Sequence, residues 1–261
     1  MPQVSNVCLA TAYTLGMTQA FQGSLLDLCG EEGPGPLGPS VQRTTLAGGA
    51  WIDVRPGWFS GADALFERLI DAVPWRAERR HMYDRVVDVP RLVSFYAEGE
   101  SLPDRALDEI KRALDEHYGP ELGEPFRTCG LCLYRDGSDS VAWHGDTTGR
   151  SSTQDTIVAI VSLGAPRALL LRPRPGGMSE PEGRGVAWTE RRGTSDEGRR
   201  RLKGAPEASG GRGKTLRHEL GHGDLFVMGG SCQRTWEHSI PKTARAVGPR
   251  ISVQFRPRDV R

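Results

Sequence analysis

The sequence predicts a mainly β protein with flanking helices, an α+β fold whose strands form an antiparallel sandwich or barrel. Three observations carry this. From Arg127 onward, eight short runs rich in β-branched and aromatic residues are separated by turn residues. Ahead of them, two stretches place apolar residues at helical spacing. No apolar run reaches the roughly 18 residues that a membrane-spanning helix needs, so no membrane contact is expected.

Taken in order, residues 1–48 mix weak apolar stretches with a Gly/Pro-rich segment at 30–39 that cannot hold regular structure. This part reads as a loosely ordered N-terminal extension, and 49–261 as a single domain. The first helix is expected over 60–73, with Ser60 as N-cap and Ala64, Leu65, Leu69, Ile70 and Val73 in one apolar stripe. A second is expected over 103–118, where Leu107, Ile110, Leu114 and Tyr118 share a face. Residues 85–96 between them read as strand or hairpin. The eight strands are placed at 128–134, 141–144, 156–163, 167–172, 215–220, 224–228, 235–238 and 250–255. Two helices preceding such a run should cover one outer face of the sheet.

Composition narrows the classes. Gly (33) and Pro (18) together are 51 of 261 residues, above average usage yet short of a disordered chain, so a folded core with flexible insertions is expected. Residues 174–214 hold ten glycines and ten basic residues against six acids, a composition read as a disordered basic insertion between two strands. Lys+Arg 34 against Asp+Glu 33 excludes a strongly basic nucleic-acid coat, though not a local basic groove. Five cysteines, an odd count, argue against a disulfide scaffold and for a reducing compartment. The N-terminus lacks a basic region before its apolar part, so a cytoplasmic location is expected.

The chemistry-bearing residues are few. His218-Glu-Leu-Gly-His222 has the form of a zinc-protease helix motif, but its glycines and β-like flanks contradict a helix. On a strand its histidines would stand about 13 Å apart, too far to share a metal. His144-Gly-Asp146 fits better, because residues i and i+2 of a strand face one side. With a distant His238 it completes a two-histidine, one-carboxylate facial triad, a set that leaves positions open on a non-haem Fe(II). The bland alternative is a surface histidine beside a turn aspartate. On the last strand, alternation sets Arg250, Ser252, Gln254 and Arg256 on one face and Ile251, Val253 and Phe255 on the other. Two arginines on one polar face suit the clamping of a carboxylate.

The segments Leu133–Asp146, Ile160–Gly164, His222–Met228, Trp236–Pro241 and Arg250–Arg256, in that order, resemble those of the AlkB family of Fe(II)/2-oxoglutarate-dependent dioxygenases. The resemblance spans roughly residues 80–258 and implies a double-stranded β-helix (jelly-roll) core with N-terminal helices packed on one sheet. It implies that His144, Asp146 and His238 bind Fe(II). It also implies that Arg250, helped by Tyr134, takes the distal carboxylate of 2-oxoglutarate, with Arg256 near the chelating end and O2 as the other co-substrate. Cys132 stands where the family usually has Asn, and a thiol is a weak hydrogen-bonding group. Cys129 and Cys132 should point to opposite faces of their strand and act as packing residues. His222 falls in a turn before a jelly-roll strand, away from the metal.

The resemblance further implies oxidative dealkylation of N-alkylated nucleobases in DNA, single- or double-stranded, or in RNA, by a monomer. The same chemistry on modified RNA, protein or a small molecule is the alternative. Such an enzyme needs its base outside the stack. A nucleotide-recognition lid is expected at about 79–100, with Tyr83 as intercalating finger, Arg91 as phosphate contact and Tyr96 against the base.

Overall fold

The computed structural model describes residues 31–82, 85–147, 149–174 and 215–260. The finger assigned to Tyr83 and the insertion at 175–214 lie outside the described residues.

Strands β7 (Thr128–Tyr134), β8 (Val141–His144), β9 (Val158–Gly164), β10 (Arg167–Pro173), β11 (Leu216–Leu220), β12 (Asp224–Gly230), β13 (Trp236–Ile240) and β14 (Arg250–Arg256) build the core. They divide between two facing antiparallel sheets. One has the order β12-β9-β14-β7 at its centre, and the other is β11-β10-β13-β8. This is a double-stranded β-helix, and every one of its strands falls where alternation in the sequence placed it. The larger sheet is extended on one side by β3 (Ala50–Arg55) and β2 (Gln42–Thr45), and on the other by β6 (Arg85–Tyr96) and β5 (Arg76–Met82).

The period of two sorts the larger sheet into two cores. Cys129, Leu131, Val161, Leu225, Val253 and Phe255 face outward against helices α1 (Ala62–Ala72) and α2 (Arg105–Leu122). Cys132, Tyr134, Ile160, Phe226 and Met228 face inward, toward Leu169, Leu171 and Trp236 of the smaller sheet. Cys129 and Cys132 therefore lie in different cores and cannot pair. Helix α2 is capped by Asp104, whose carboxylate accepts from the Ala106 N–H at 2.9 Å, and it ends at Gly123 in the left-handed region (φ 80°).

Two expectations need correction. Residues 31–48 are not a loose extension: β1 (Gly33–Pro34) pairs with β4 (Phe59–Ser60), and β2 pairs with β3 from Gln42 to Thr45. Arg43 on β2 is clamped by two bonds to Asp53 at 2.8 and 2.9 Å, and this carboxylate also accepts from Tyr118 Oη at 3.1 Å. Such a tie depends on long-range partners that a glycine-rich local pattern does not reveal. Ser60 is not the cap of α1; it ends β4, and Gly61 holds the N-cap with φ 72°. Among the described residues no helix is long and apolar enough to cross a membrane.

Candidate active site

A cleft of about 1230 Å³ opens between the two sheets and runs out under the β5–β6 hairpin. His144 ends β8, and β13 sets His238 directly opposite it. The chain then turns at Gly145 and brings Asp146 back beside them. The three offered ligand atoms lie within 4.8 Å of one another, and the two imidazoles are 4.2 Å apart between centroids. His144 Nδ1 sits 2.9 Å from the Ala142 carbonyl, so Nδ1 carries the hydrogen and Nε2 is left with its lone pair. Burial, joined by repulsion from His144, pushes His238 down to about 3, and burial lowers His144 as well. Both rings are therefore neutral, as metal ligation requires.

Asp146 is held in place from three sides. Its backbone N–H donates to Gln233 Oε1 at 2.9 Å, its carbonyl accepts from Ser151, and its Oδ2 accepts from Arg256 Nε at 2.7 Å. Burial alone would raise this carboxyl, but the charge and hydrogen bond of Arg256 outweigh it and hold it below the usual carboxylate range. Gln233 belongs to the short helical turn α3 (Cys232–Thr235). The turn is so close that a Cβ at Gly145 would stand 2.5 Å from the Gln233 carbonyl oxygen. Gln233 and Gly145 escape a sequence reading, because their roles arise only when α3 docks on the His144–Asp146 turn.

At the opposite end of the same cleft lies Arg250, 1% exposed. Its Nε donates to Ser162 Oγ at 2.9 Å, while both terminal nitrogens are buried without a partner. The guanidinium stands 5.3 Å over the Tyr134 ring, and burial raises the Tyr134 hydroxyl to about 12. A buried guanidinium with two unmade hydrogen bonds is costly unless a ligand completes it. A carboxylate has the matching bidentate geometry. A two-His, one-Asp set at one end and an open arginine at the other fit Fe(II) and a dicarboxylate in one cleft.

The family profile described as "2OG-Fe(II) oxygenase superfamily" matches residues 96–256. The chain belongs to that superfamily. Within it, the similarity is to AlkB proteins. The "Alpha-ketoglutarate-dependent dioxygenase alkB homolog 3" of Bos taurus is 30% identical, over 83% of this chain and 66% of its own length. The human protein of the same name is 28% identical with the same coverage. The "DNA oxidative demethylase ALKBH2" of Arabidopsis thaliana is 30% identical, over 76% of this chain and 62% of its length. The chain thus spans just under two thirds of the length of these relatives. It is an AlkB-family member, and the family's Fe(II) and 2-oxoglutarate suit the donor set described above.

The other expected residues fall as follows. Arg256 touches Asp146 directly. His222 lies in the β11–β12 turn: Nδ1 accepts from the Gly164 N–H at 2.7 Å, so Nε2 carries the hydrogen and faces Asp63 Oδ1 at 3.0 Å. His218 is on β11 with its ring against Phe226. Neither histidine approaches the triad. Arg91, expected to meet phosphates, instead lines the cleft half-buried, its Nη1 at 3.4 Å from the Ser140 carbonyl. Alternation along β6 explains this, since Arg91, Val93 and Phe95 share the cleft side while Leu92 and Tyr96 pack toward the helix-side core. Phe95 is 46% exposed at the cleft mouth, next to Gly130 and Arg256.

Proposed function

We propose that this protein carries out Fe(II)- and 2-oxoglutarate-dependent oxidative dealkylation of N-alkylated nucleobases, with alkylated DNA as its substrate. The observation that carries the reading is the pairing, in one cleft, of the His144–Asp146–His238 cluster with the guanidinium of Arg250, whose two terminal nitrogens have no hydrogen-bond partner. His144 Nε2, an Asp146 oxygen and His238 hold the metal. Arg250 takes the far carboxylate of 2-oxoglutarate, and the Tyr134 hydroxyl stands beside it. Arg256 keeps Asp146 ionised and aimed. Once bound, the iron and co-substrate would supply the oxidation: one oxygen atom of O2 would enter succinate as 2-oxoglutarate loses CO2, the other would hydroxylate the N-alkyl carbon, and collapse of that product would leave an aldehyde and a restored N–H.

The substrate side rests on the β5–β6 hairpin, which roofs the cleft mouth. Phe95 offers an aromatic face to a base brought out of the stack, beside Tyr96, which also lines the cleft and packs on the helix-side core. The relative named as a DNA oxidative demethylase supports a nucleic-acid substrate. Mass spectrometry of methylated DNA and RNA oligonucleotides, incubated with the protein, Fe(II) and 2-oxoglutarate, tests this. Loss of one methylene from DNA, with matching release of aldehyde, is the expected result. Turnover of 2-oxoglutarate that no oligonucleotide stimulates or loses mass to would overturn it.

A further inference from the structure

The jelly-roll core is complete at Arg256, yet the chain does not leave the domain there. It turns at Arg258 and Asp259 and comes back to the cleft. Val260 is 1% exposed, lines the same cleft as His144 and Asp146, and joins the inward-facing apolar cluster with Ile160, Leu169 and Ile240. Its backbone forms an antiparallel bridge to Gly149. Val260 is thereby tied to the metal cluster from two directions. Gly149 follows Asp146 by three residues, and Arg256, four residues before Val260, donates to the Asp146 carboxylate.

Three features hold this return in place. Asp259 takes the left-handed region (φ 57°), alone among the described non-glycine residues. A short polar side chain tolerates that conformation, and it persists where the surroundings over-determine it. Gly149, at φ 83°, has no room for a side chain: a Cβ would stand 2.0 Å from the Asp259 carbonyl oxygen. Arg258 donates to both oxygens of Glu98 at 2.9 and 3.0 Å, and Glu98 lies just past the end of β6, which roofs the cleft. The sheets do not need this turn for their pairing. What it delivers is one apolar side chain to the cleft that holds His144, Asp146 and Arg256.

We propose that Val260 is a specificity-determining residue: its side chain is the wall that limits the size of the N-alkyl group presented to the metal. This rests on the function proposed above and adds to it a selection by alkyl length. A saturated alkyl group offers no hydrogen bond, so contact alone discriminates between a short one and a long one. One methylene too many or too few in an apolar pocket changes selectivity by about 10- to 200-fold. Valine suits the part because its branched Cβ restricts χ1 and leaves a stiff surface.

The test compares two oligonucleotides of one sequence, carrying N1-methyladenine or N1-propyladenine, with the full chain, Fe(II) and 2-oxoglutarate. The wild type should favour the methyl substrate in kcat/KM. Val260→Ala should move that ratio toward propyl by about 10-fold or more, and Val260→Phe should move it the other way. The ratio is blind to the fraction of protein folded or loaded with metal, so a merely structural role would not shift it. The same shift should appear in the relative affinities of the two oligonucleotides for Mn(II)-loaded protein, which binds without turning over. Equal use of both substrates by the wild type overturns the assignment, as does a ratio that the variants leave unchanged. Should Val260→Phe not fold, Val260→Ala carries the test alone. A wild type that turns over neither oligonucleotide sinks the function proposed above and this assignment with it, whereas a wild type that discriminates as its variants do sinks this assignment only.

Discussion

Arg256 Nε donates to Asp146 Oδ2 at 2.7 Å, so the residue that ends the last strand fixes the carboxylate of the metal cluster. The two are 110 positions apart in the chain and both are largely buried. A buried ion pair of this kind is poor evidence for stability, since desolvation offsets most of the attraction. Its value lies in aim: with Oδ2 engaged, Oδ1 is the oxygen left beside His144 Nε2, 3.9 Å away.

This relationship predicts a metal phenotype for Arg256→Met. The side chain keeps its bulk but releases Asp146. Loss of such an outer partner should weaken Mn(II) or Fe(II) by about 10- to 100-fold, measured by calorimetry on purified protein. Wild-type affinity in the variant would show that the backbone bonds from Asp146 to Gln233 and Ser151 suffice to hold the residue in place.

The ligand set makes a sharper prediction. His144→Ala, Asp146→Ala and His238→Ala should each abolish stoichiometric metal binding. His218→Ala and His222→Ala should retain it, with His222→Ala lowering thermal stability because Gly164 N–H and Asp63 both lose their partner. Metal content by elemental analysis decides. A metal-free His222→Ala protein with intact His144 would reverse the assignment.

These contrasts also show what a reader of the sequence could see. Six of the eight core strands were legible because they are largely buried, and burial writes alternation or a short apolar run into the residues; β8 and β11, where only Leu220 is fully buried, were legible from β-favouring residues between turns. His144 and Asp146 were legible as a pair because a strand's period of two is local. Arg91 and Tyr96 were not: their direction depends on the register of β6 against β7, where Val93 pairs with Cys132. A shift of one residue would exchange their faces. Strand β2 was hidden because all four of its residues are exposed, so nothing apolar marks it. What holds it is the Arg43–Asp53 clamp across ten residues, a contact that exists only after folding.

Asp104 gives a stability prediction free of the chemistry. Its carboxylate caps α2 through Ala106 N–H and accepts from Arg68 Nε at 2.6 Å. Arg68 is 43% exposed, and an exposed pair is worth little, so the cap dominates. Asp104→Ala should cost about 1 kcal/mol in urea unfolding and leave metal affinity alone. A loss of metal would mean that α2 supports the cleft more directly than its position behind the larger sheet implies.

The last prediction separates co-substrate from substrate along the two ends of the cleft. Arg250 is buried with two open donors, so Arg250→Lys keeps a charge but loses the planar fork. A missing hydrogen bond to a carboxylate costs about 1.5–3 kcal/mol, or roughly 10- to 150-fold in 2-oxoglutarate affinity. Phe95 stands at the mouth of the cleft, 46% exposed, so Phe95→Ala should leave the KM for 2-oxoglutarate unchanged. It should instead weaken binding of a methylated oligonucleotide, since stacking on an aromatic is worth about 1–3 kcal/mol per base. Phe95→Trp should preserve that binding, because it keeps the aromatic face, which a mere packing role in this exposed position would not require. Arg91, lining the cleft rather than the outer surface, should leave the salt dependence of DNA binding nearly unaltered when changed to Ala, whereas a phosphate contact would reduce its slope by about one. Measuring 2-oxoglutarate KM, oligonucleotide affinity and its salt slope across these variants tests each assignment separately. An Arg250→Lys enzyme with normal KM would break the co-substrate half. A Phe95→Ala enzyme that binds and repairs methylated DNA as the wild type does would break the other.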